Sequence, residues 1–396
     1  MRLPVWAALA LMLAGCVQPQ QTQPTAALDN GKAAMGLNPV PFSALPGWGQ
    51  DNAAKALAPF VAGCAHMNDT LGGSGIAAQL GGSAANWRAA CDAGRAVPKG
   101  DEARARAFFE ANFQPYAVTA DGHDQGLFTG YYEPEVRGSR SPGAGYPAAL
   151  LTKPVDLLQI DLSPFADDLK GRRIAGRLQS GNLVPYYDRA EIAGGALKGK
   201  RLELIWLASE IDAFFLQIQG SGRIKLPDGR IARVTYSGQN GRPYVPIGKI
   251  LADQGAIPLD QVTMQSIRGW LESHPAEAQS VMNRNPSFVF FRELIGTRPD
   301  EGPPGALGAA LAPGRSIAVD RAYVPLGAPV FVDTTDPVSG AAWQHMMVAQ
   351  DLGGAIKGPV RADIFFGWGD DAENAAGRMR QQGRQFLLLP KGASAS

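Results

Sequence analysis

The stretch DLGGAIKGPVRADIFFGWGD, residues 351–370, sets two aspartates, Asp351 and Asp363, among glycines and aromatics, with no histidine. VRADIFF otherwise reads as a buried strand, and strand alternation places Asp363 on the face of Phe365. An apolar neighbour desolvates a carboxylate and raises its pKa. A carboxyl kept protonated near neutral pH can act as a general acid. A helix starting near Asp370 would favour the anion if its N-terminus pointed at Asp363, whereas closure on a ligand favours the acid. The alternative is structural: Asp363 caps a turn or pairs with Arg361.

Other chemistries fit poorly. His66, His123, His274 and His345 show no metal-ligand spacing, and no H-E-x-x-H occurs, so no metal site is expected. GGAIKG lacks the order of a phosphate loop, and no G-x-S-x-G supports a serine triad. Neither Cys64 nor Cys91 sits in a basic or glycine-rich setting, which argues against a catalytic thiol. The formal net charge is +1 with no basic run, so nucleic acid is not an expected partner. Carboxylate chemistry without a cofactor remains.

The elements that must position these carboxylates follow from composition and period. With 48 Gly and 30 Pro in 396 residues, strands and turns are favoured over a helical bundle. Residues 47–117 read as largely helical, with DEARARAFFEANF the clearest element. Asp101 is its N-cap, and Ala105, Phe108, Phe109 and Phe113 recur at helical spacing. From GLFTGYYEPEV onward the pattern turns to strands. In AFFLQIQGSGRI, Phe214, Leu216 and Ile218 alternate with Phe215, Gln217 and Gln219, which predicts a strand, and LPDGR predicts a turn to the next. Gln217 and Gln219 would then present amides to a groove that bonds sugar hydroxyls, or simply face solvent. Residues 260–283 return to helix, NPSFVFFREL is a strand, and residues 298–314 form a loop. Short strands joined by glycine turns follow, and a last helix in DDAENAAGRMRQQG stops at Gly383. Such strands suggest a closed barrel.

The N-terminus, MRLPVWAALALMLAGC, has Arg2, an apolar run too short to span a bilayer, and small residues before Cys16. LAGC, residues 13–16, resembles the bacterial lipobox, in which the cysteine becomes the acylated first residue. Val17 in place of an aspartate leans toward the outer membrane. Residues 16–45, rich in Gln, Pro, Thr and Ala, read as a flexible tether. In an oxidising compartment Cys64 and Cys91 could pair; the alternative is two buried thiols.

AVDRAYVPLG, AQDLGGAIKG and RADIFFGWG together resemble the three-aspartate domain, named for Asp320, Asp351 and Asp363. FTGYYEPEV, FFLQIQGSGRI, SGQNGRPYVPIG and NPSFVFFRE resemble the rest of the membrane-bound lytic transglycosylase A family, a likeness covering roughly residues 100–390. The resemblance implies a mainly β fold with N-terminal helices: a double-psi β-barrel catalytic domain from residues 46–133 and 284–392, with the three-aspartate region at about 312–385. A smaller β-barrel domain, 134–283, would be inserted, with a groove between the two; residues 1–15 would be the signal peptide. It also implies a peptidoglycan substrate, cut without water to leave a 1,6-anhydro product. Asp363 would be acid and then base, with Asp351, Thr129, Tyr131, Gln217 and Gln219 in support or substrate positioning and Asp320 structural. Proteins of cell-wall synthesis are plausible further partners. Two other readings stay open: a glycoside hydrolase using Asp363 and Asp351 as a pair, and a non-catalytic lipoprotein that binds glycan strands.

Overall fold

The computed structural model describes residues 33–67, 80, 84–143, 145–169 and 172–392. The proposed signal peptide and Cys16 lie outside them. The described chain starts with strand β1 (Met35–Pro39), followed by helices α1 (Ala53–Gly63), α2 (Ala84–Arg95) and α3 (Glu102–Asn112) and strands β2 (Phe113–Ala120) and β3 (Gly126–Glu133). The Asn52 side chain accepts from the Lys55 amide to start α1, and Asp101 does the same for α3 from Arg104. Phe113 is not helical: it opens β2, while its ring still packs on Phe60 and Phe109. Cys64, just past α1, and Cys91 in α2 form a disulfide. Its 27-residue separation corresponds to about 3.5 kcal/mol of chain-entropy stabilisation.

The chain then forms β4 (Glu135–Ser139), β5 (Ala148–Leu151), β6 (Leu158–Asp161), β7 (Arg173–Gln179), β8 (Asn182–Pro185), α4 (Arg189–Ala193), β9 (Glu203–Leu207), α5 (Glu210–Gln219), β10 (Ser221–Lys225) and β11 (Ile231–Gln239). Next come α6 (Ile247–Asp253), α7 (Met264–Ser273), α8 (Pro275–Asn283) and β12 (Val289–Leu294). The last part holds β13 (Ser316–Val319), β14 (Pro329–Thr335), β15 (Ala342–Leu352), β16 (Arg361–Trp368), α9 (Asp370–Arg378) and β17 (Arg380–Pro390).

Strands β17, β14, β15, β13, β16 and β3 pair in that order, and β3 pairs again with β17, so six strands close into a barrel. The β13–β15 and β16–β3 pairs are parallel. A second sheet runs β12-β11-β10-β4-β9-β5, with a bridge between Thr152 and Phe291 joining its two ends; β6, β7 and β8 form a small third sheet. In β16, Ala362 and Ile364 join the main core with Phe128, Ile317 and Val319, while Phe365 packs on the other face with Tyr131 and Ala318.

Three further expectations are corrected. The region read as tether is ordered from Met35: β1 pairs antiparallel with β2, and Met35, Leu37, Val40 and Phe42 pack on the main core. Its polar and proline-rich composition hid a strand that long-range pairing stabilises. Residues 210–219 are helix, not strand. Ser209 caps the start by accepting the amides of Ile211 and Asp212, and Gly220 at φ +81° ends it. The helix buries Ala213 through Gln217, so a nearly continuous apolar run imitated strand alternation. The last helix ends at Arg378 rather than Gly383, because β17 begins at Arg380 and pairs with β3.

Candidate active site

Backbone register builds the site. Ala318 on β13 faces Asp351 on β15 and Asp363 on β16; Asp363 faces Thr129 on β3, and Phe365 faces Tyr131. Cross-strand partners share a face, so this is one row of side chains along the barrel wall. In β15 the register shifts: Ile317 pairs with Ala349 but Ala318 with Asp351, leaving Gln350 as the extra residue. That bulge brings Asp351 level with Ala318. Gln350 is held by Ser316 and by the Pro59 carbonyl. Asp351 and Asp363 therefore stand on strands two spacings apart, about 9.6 Å between backbones, across the small Ala318.

The Thr129 hydroxyl donates to Asp363 Oδ1 at 2.6 Å. Arg361 donates to Thr129 Oγ1 at 2.9 Å and to the carbonyls of Leu127 and Ala362. Because the guanidinium occupies a Thr129 lone pair, the single hydroxyl proton is left for Asp363. Arg361 acts on Asp363 through its charge, but its hydrogen bond reaches Thr129 rather than the carboxylate. The i, i+2 spacing on one strand face was the signal for this arrangement.

Asp351 is held on both oxygens: the Tyr131 hydroxyl donates to Oδ2 at 2.9 Å and the Ala306 amide to Oδ1 at 2.9 Å. Burial raises its pKa from the ordinary aspartate value, opposed by the Leu352, Tyr131 and Ala306 hydrogen bonds. Burial also lifts Asp363, against the Thr129 bond and the Arg361 charge, and the Asp351 charge lifts it further. Tyr131, buried against Asp351, is pushed well above the ordinary tyrosine value.

The raised pKa of Asp363 makes folding stability depend on pH. The unfolded aspartate loses its proton near 3.8, but the folded Asp363 loses it at higher pH. Folding stability should therefore fall as pH rises through the interval between the two values and stay lower above it. Asp363→Asn should melt higher than the parent at pH 7, with that advantage vanishing near pH 3.5. Melting curves at the two pH values check this, and equal gains at both would refute it.

The other residues singled out in the sequence lie as follows. Asp320 accepts the amides of Ala322 and Gly358, one on each oxygen, both at 3.0 Å. Gln219 accepts the Tyr132 amide and lines the cavity beside Thr129. Gln217, on the same helix, is buried away from that cavity, and its Oε1 finds no hydrogen-bond partner among the described residues. A helix separates i and i+2 side chains onto different faces, so the two glutamines do not form one groove surface.

The cavity is about 510 Å³. Leu127, Thr129 and Gly130 of β3 and residues 376–380 form one wall. The ends of α5, α6 and α7 and Tyr244 form the other. Gly130 is required there: a Cβ would stand 2.9 Å from the Ala376 Cα and 2.6 Å from the Phe366 ring. Tyr244 lies in SGQNGRPYVPIG, where no local spacing marks it as part of a site; only the fold brings it to the cavity.

Two family descriptions match, "MltA specific insert domain" over residues 127–292 and "3D domain" over residues 315–389. The membrane-bound lytic murein transglycosylase A of Escherichia coli (strain K12) is 33% identical over 278 residues, 68% of this chain and 67% of that protein. The crystal structure of MltA from Neisseria gonorrhoeae, monoclinic form, superposes with a TM-score of 0.76 at 35% identity, covering 91% of this chain and 94% of that one. E. coli MltA with bound chitohexaose superposes with a TM-score of 0.64 at 27% identity, covering 91% and 96%. The barrel, its row of carboxyl and hydroxyl groups and these likenesses define the protein as a lytic transglycosylase enzyme. The chain belongs to the membrane-bound lytic murein transglycosylase A family.

Proposed function

We propose that this enzyme cleaves the β-1,4 bond between N-acetylmuramic acid and N-acetylglucosamine in peptidoglycan without water, with Asp363 as the single acid and base. The observation that carries this is the Thr129 hydroxyl fixed on Oδ1 of a carboxyl whose pKa burial raises. That bond makes Oδ1 an acceptor in either protonation state, so Oδ2 carries the working proton. Asp363 gives the proton to the glycosidic oxygen as its bond to C1 breaks. The resulting carboxylate then takes the proton of the same sugar's C6 hydroxyl as O6 bonds to C1, and Asp363 ends protonated as it began. The intramolecular attack supplies the proximity that a bound water would otherwise need. The chitohexaose-bound relative supports a glycan-strand ligand.

A hydrolase using two carboxylates needs a second one free to act as nucleophile or as base toward water. Both Asp351 oxygens already accept hydrogen bonds, from Tyr131 and Ala306, which favours a positioning role for it. Mass spectrometry of products from digested sacculi tests the proposal. Anhydro ends are expected, and reducing ends alone would overturn it.

The six-stranded barrel would be the double-psi catalytic domain, and the second and third sheets with their helices the inserted domain that walls the groove; that domain would then run past the expected boundary at 283 to include β12, which pairs with β11 in the second sheet. Among the described residues no helix is long and apolar enough to cross a membrane. The enzyme would face the periplasm as an outer-membrane lipoprotein anchored through Cys16. Cys16→Ser should move it from the membrane fraction to the soluble periplasm; unchanged fractionation would remove the anchor from the proposal.

A further inference from the structure

The cavity beside Thr129 has an uneven charge distribution. Four charged side chains line it among apolar and neutral polar groups: Lys249, Asp260, Arg378 and Arg380. Lys249 is paired with Asp253 through bonds of 2.8 and 2.9 Å, which offsets its charge. The two arginines lie on the barrel side of the cavity and have no carboxylate partner among the described residues. Arg378 closes α9, where a cation suits the helix C-terminus, and its Nε donates only to the neutral Asn374. Arg380 has no such local explanation. It begins β17, its side chain is exposed, and no side-chain partner among the described residues meets it.

Register connects Arg380 to the chemistry. It pairs with Thr129, which pairs with Asp363 on the next strand. Arg380 and Asp363 therefore stand on strands about 9.6 Å apart on one face, with Thr129 between them. Helix α7 meets this wall through Gln265. The Gln265 side chain donates to the Glu373 carbonyl of α9, and a Cβ at Gly377 would lie 2.2 Å from that same Gln265 side chain.

We infer that Arg380, assisted by Arg378, is an anion subsite that binds a carboxylate carried by the glycan strand, roughly one sugar unit from the bond being cut. The inference rests on the proposed peptidoglycan reading and narrows it: the enzyme selects strands that bear carboxylates over neutral β-1,4 amino-sugar chains. Guanidinium suits this role because it holds a carboxylate on two parallel donors and stays charged at every working pH. The carboxylate has two sources on such a strand, the lactyl ether of the muramic residue and the peptide stem attached to it. Asp260, on the facing wall, would oppose a carboxylate that strayed across the cavity.

The test compares the parent, Arg380→Gln, Arg380→Lys and Arg378→Gln/Arg380→Gln on three ligands. These are stem-bearing glycan strands, strands stripped of their peptides, and chitohexaose. For Arg380→Gln the KM on carboxylate-bearing strands should rise about tenfold or more, with the loss in KM rather than kcat. Arg380→Lys should recover part of it, and chitohexaose affinity should stay at the parent value. A loss on stem-bearing strands alone assigns the carboxylate to the peptide, and a loss on both strands assigns it to the lactyl group. Equal loss on chitohexaose, or no change in KM on either strand, overturns the subsite. Those results leave the proposed reaction standing, since Asp363 variants and product analysis test that separately.

Discussion

Replacing Asp363 with alanine or asparagine should lower muropeptide release by about 10³-fold, within the range that a single general acid contributes, while binding to intact sacculi persists. Asparagine is the more informative substitution. Its carbonyl oxygen can still accept the Thr129 hydroxyl, which donates at 2.6 Å in the parent, so the local geometry is kept and only the transferable proton is lost. Both proton transfers in the proposed reaction pass through this one group, so no second carboxylate can take over half of the work. Asp351→Asn should cost far less, because it alters a residue already tied to Tyr131 and Ala306. Release rates measured with the anhydro product as readout decide the matter. Near-parental turnover in Asp363→Asn would remove Asp363 from the acid role.

Glu133→Gln should lower the unfolding free energy by about 3–5 kcal/mol, the cost of breaking a buried ion cluster by removing one partner. Glu133 ends β3 and is fully buried, and both of its oxygens are engaged. Arg223 on β10 donates to one oxygen at 2.7 Å, and Arg233 on β11 reaches both, at 2.9 and 3.0 Å. Each arginine is itself only 5% exposed, so a neutral amide would leave two guanidinium charges in the interior without an anion. The cluster also joins separate parts of the molecule. Arg223 donates to the carbonyls of Pro299 and Glu301 and lies 3.9 Å from the centre of the Trp368 ring at the end of β16. It thus ties the closed barrel to the second sheet at the strand that carries Asp363. Chemical denaturation of parent and variant measures the loss, and indistinguishable midpoints and slopes would show that the cluster does not join these parts energetically.

Much of the site was legible because strand alternation is local. VRADIFF places Asp363 and Phe365 on one face, and the structure keeps Ala362 and Ile364 in the opposite core. The Asp101 cap and the buried Phe108 and Phe109 of α3 followed from helical period in the same way. Alternation failed at residues 210–219, where the side chains are apolar on nearly every side and only Ser209 and Gly220 marked a helix. It also missed β1, whose own residues carry little strand signal and which exists through its pairing with β2.

The sequence alone determined which residue types could do acid chemistry, which faces they occupy within their own strands, and that two cysteines were available to bridge. Tertiary structure decided which strands lie side by side. Only that adjacency puts the Thr129 proton on Asp363 across 234 positions of chain, Tyr131 on Asp351, and Arg380 in line with both Thr129 and Asp363. The physical reason is range. Backbone period and capping act over a few residues, whereas strand order and the Gln350 bulge are settled by burial and hydrogen bonding summed over the whole barrel.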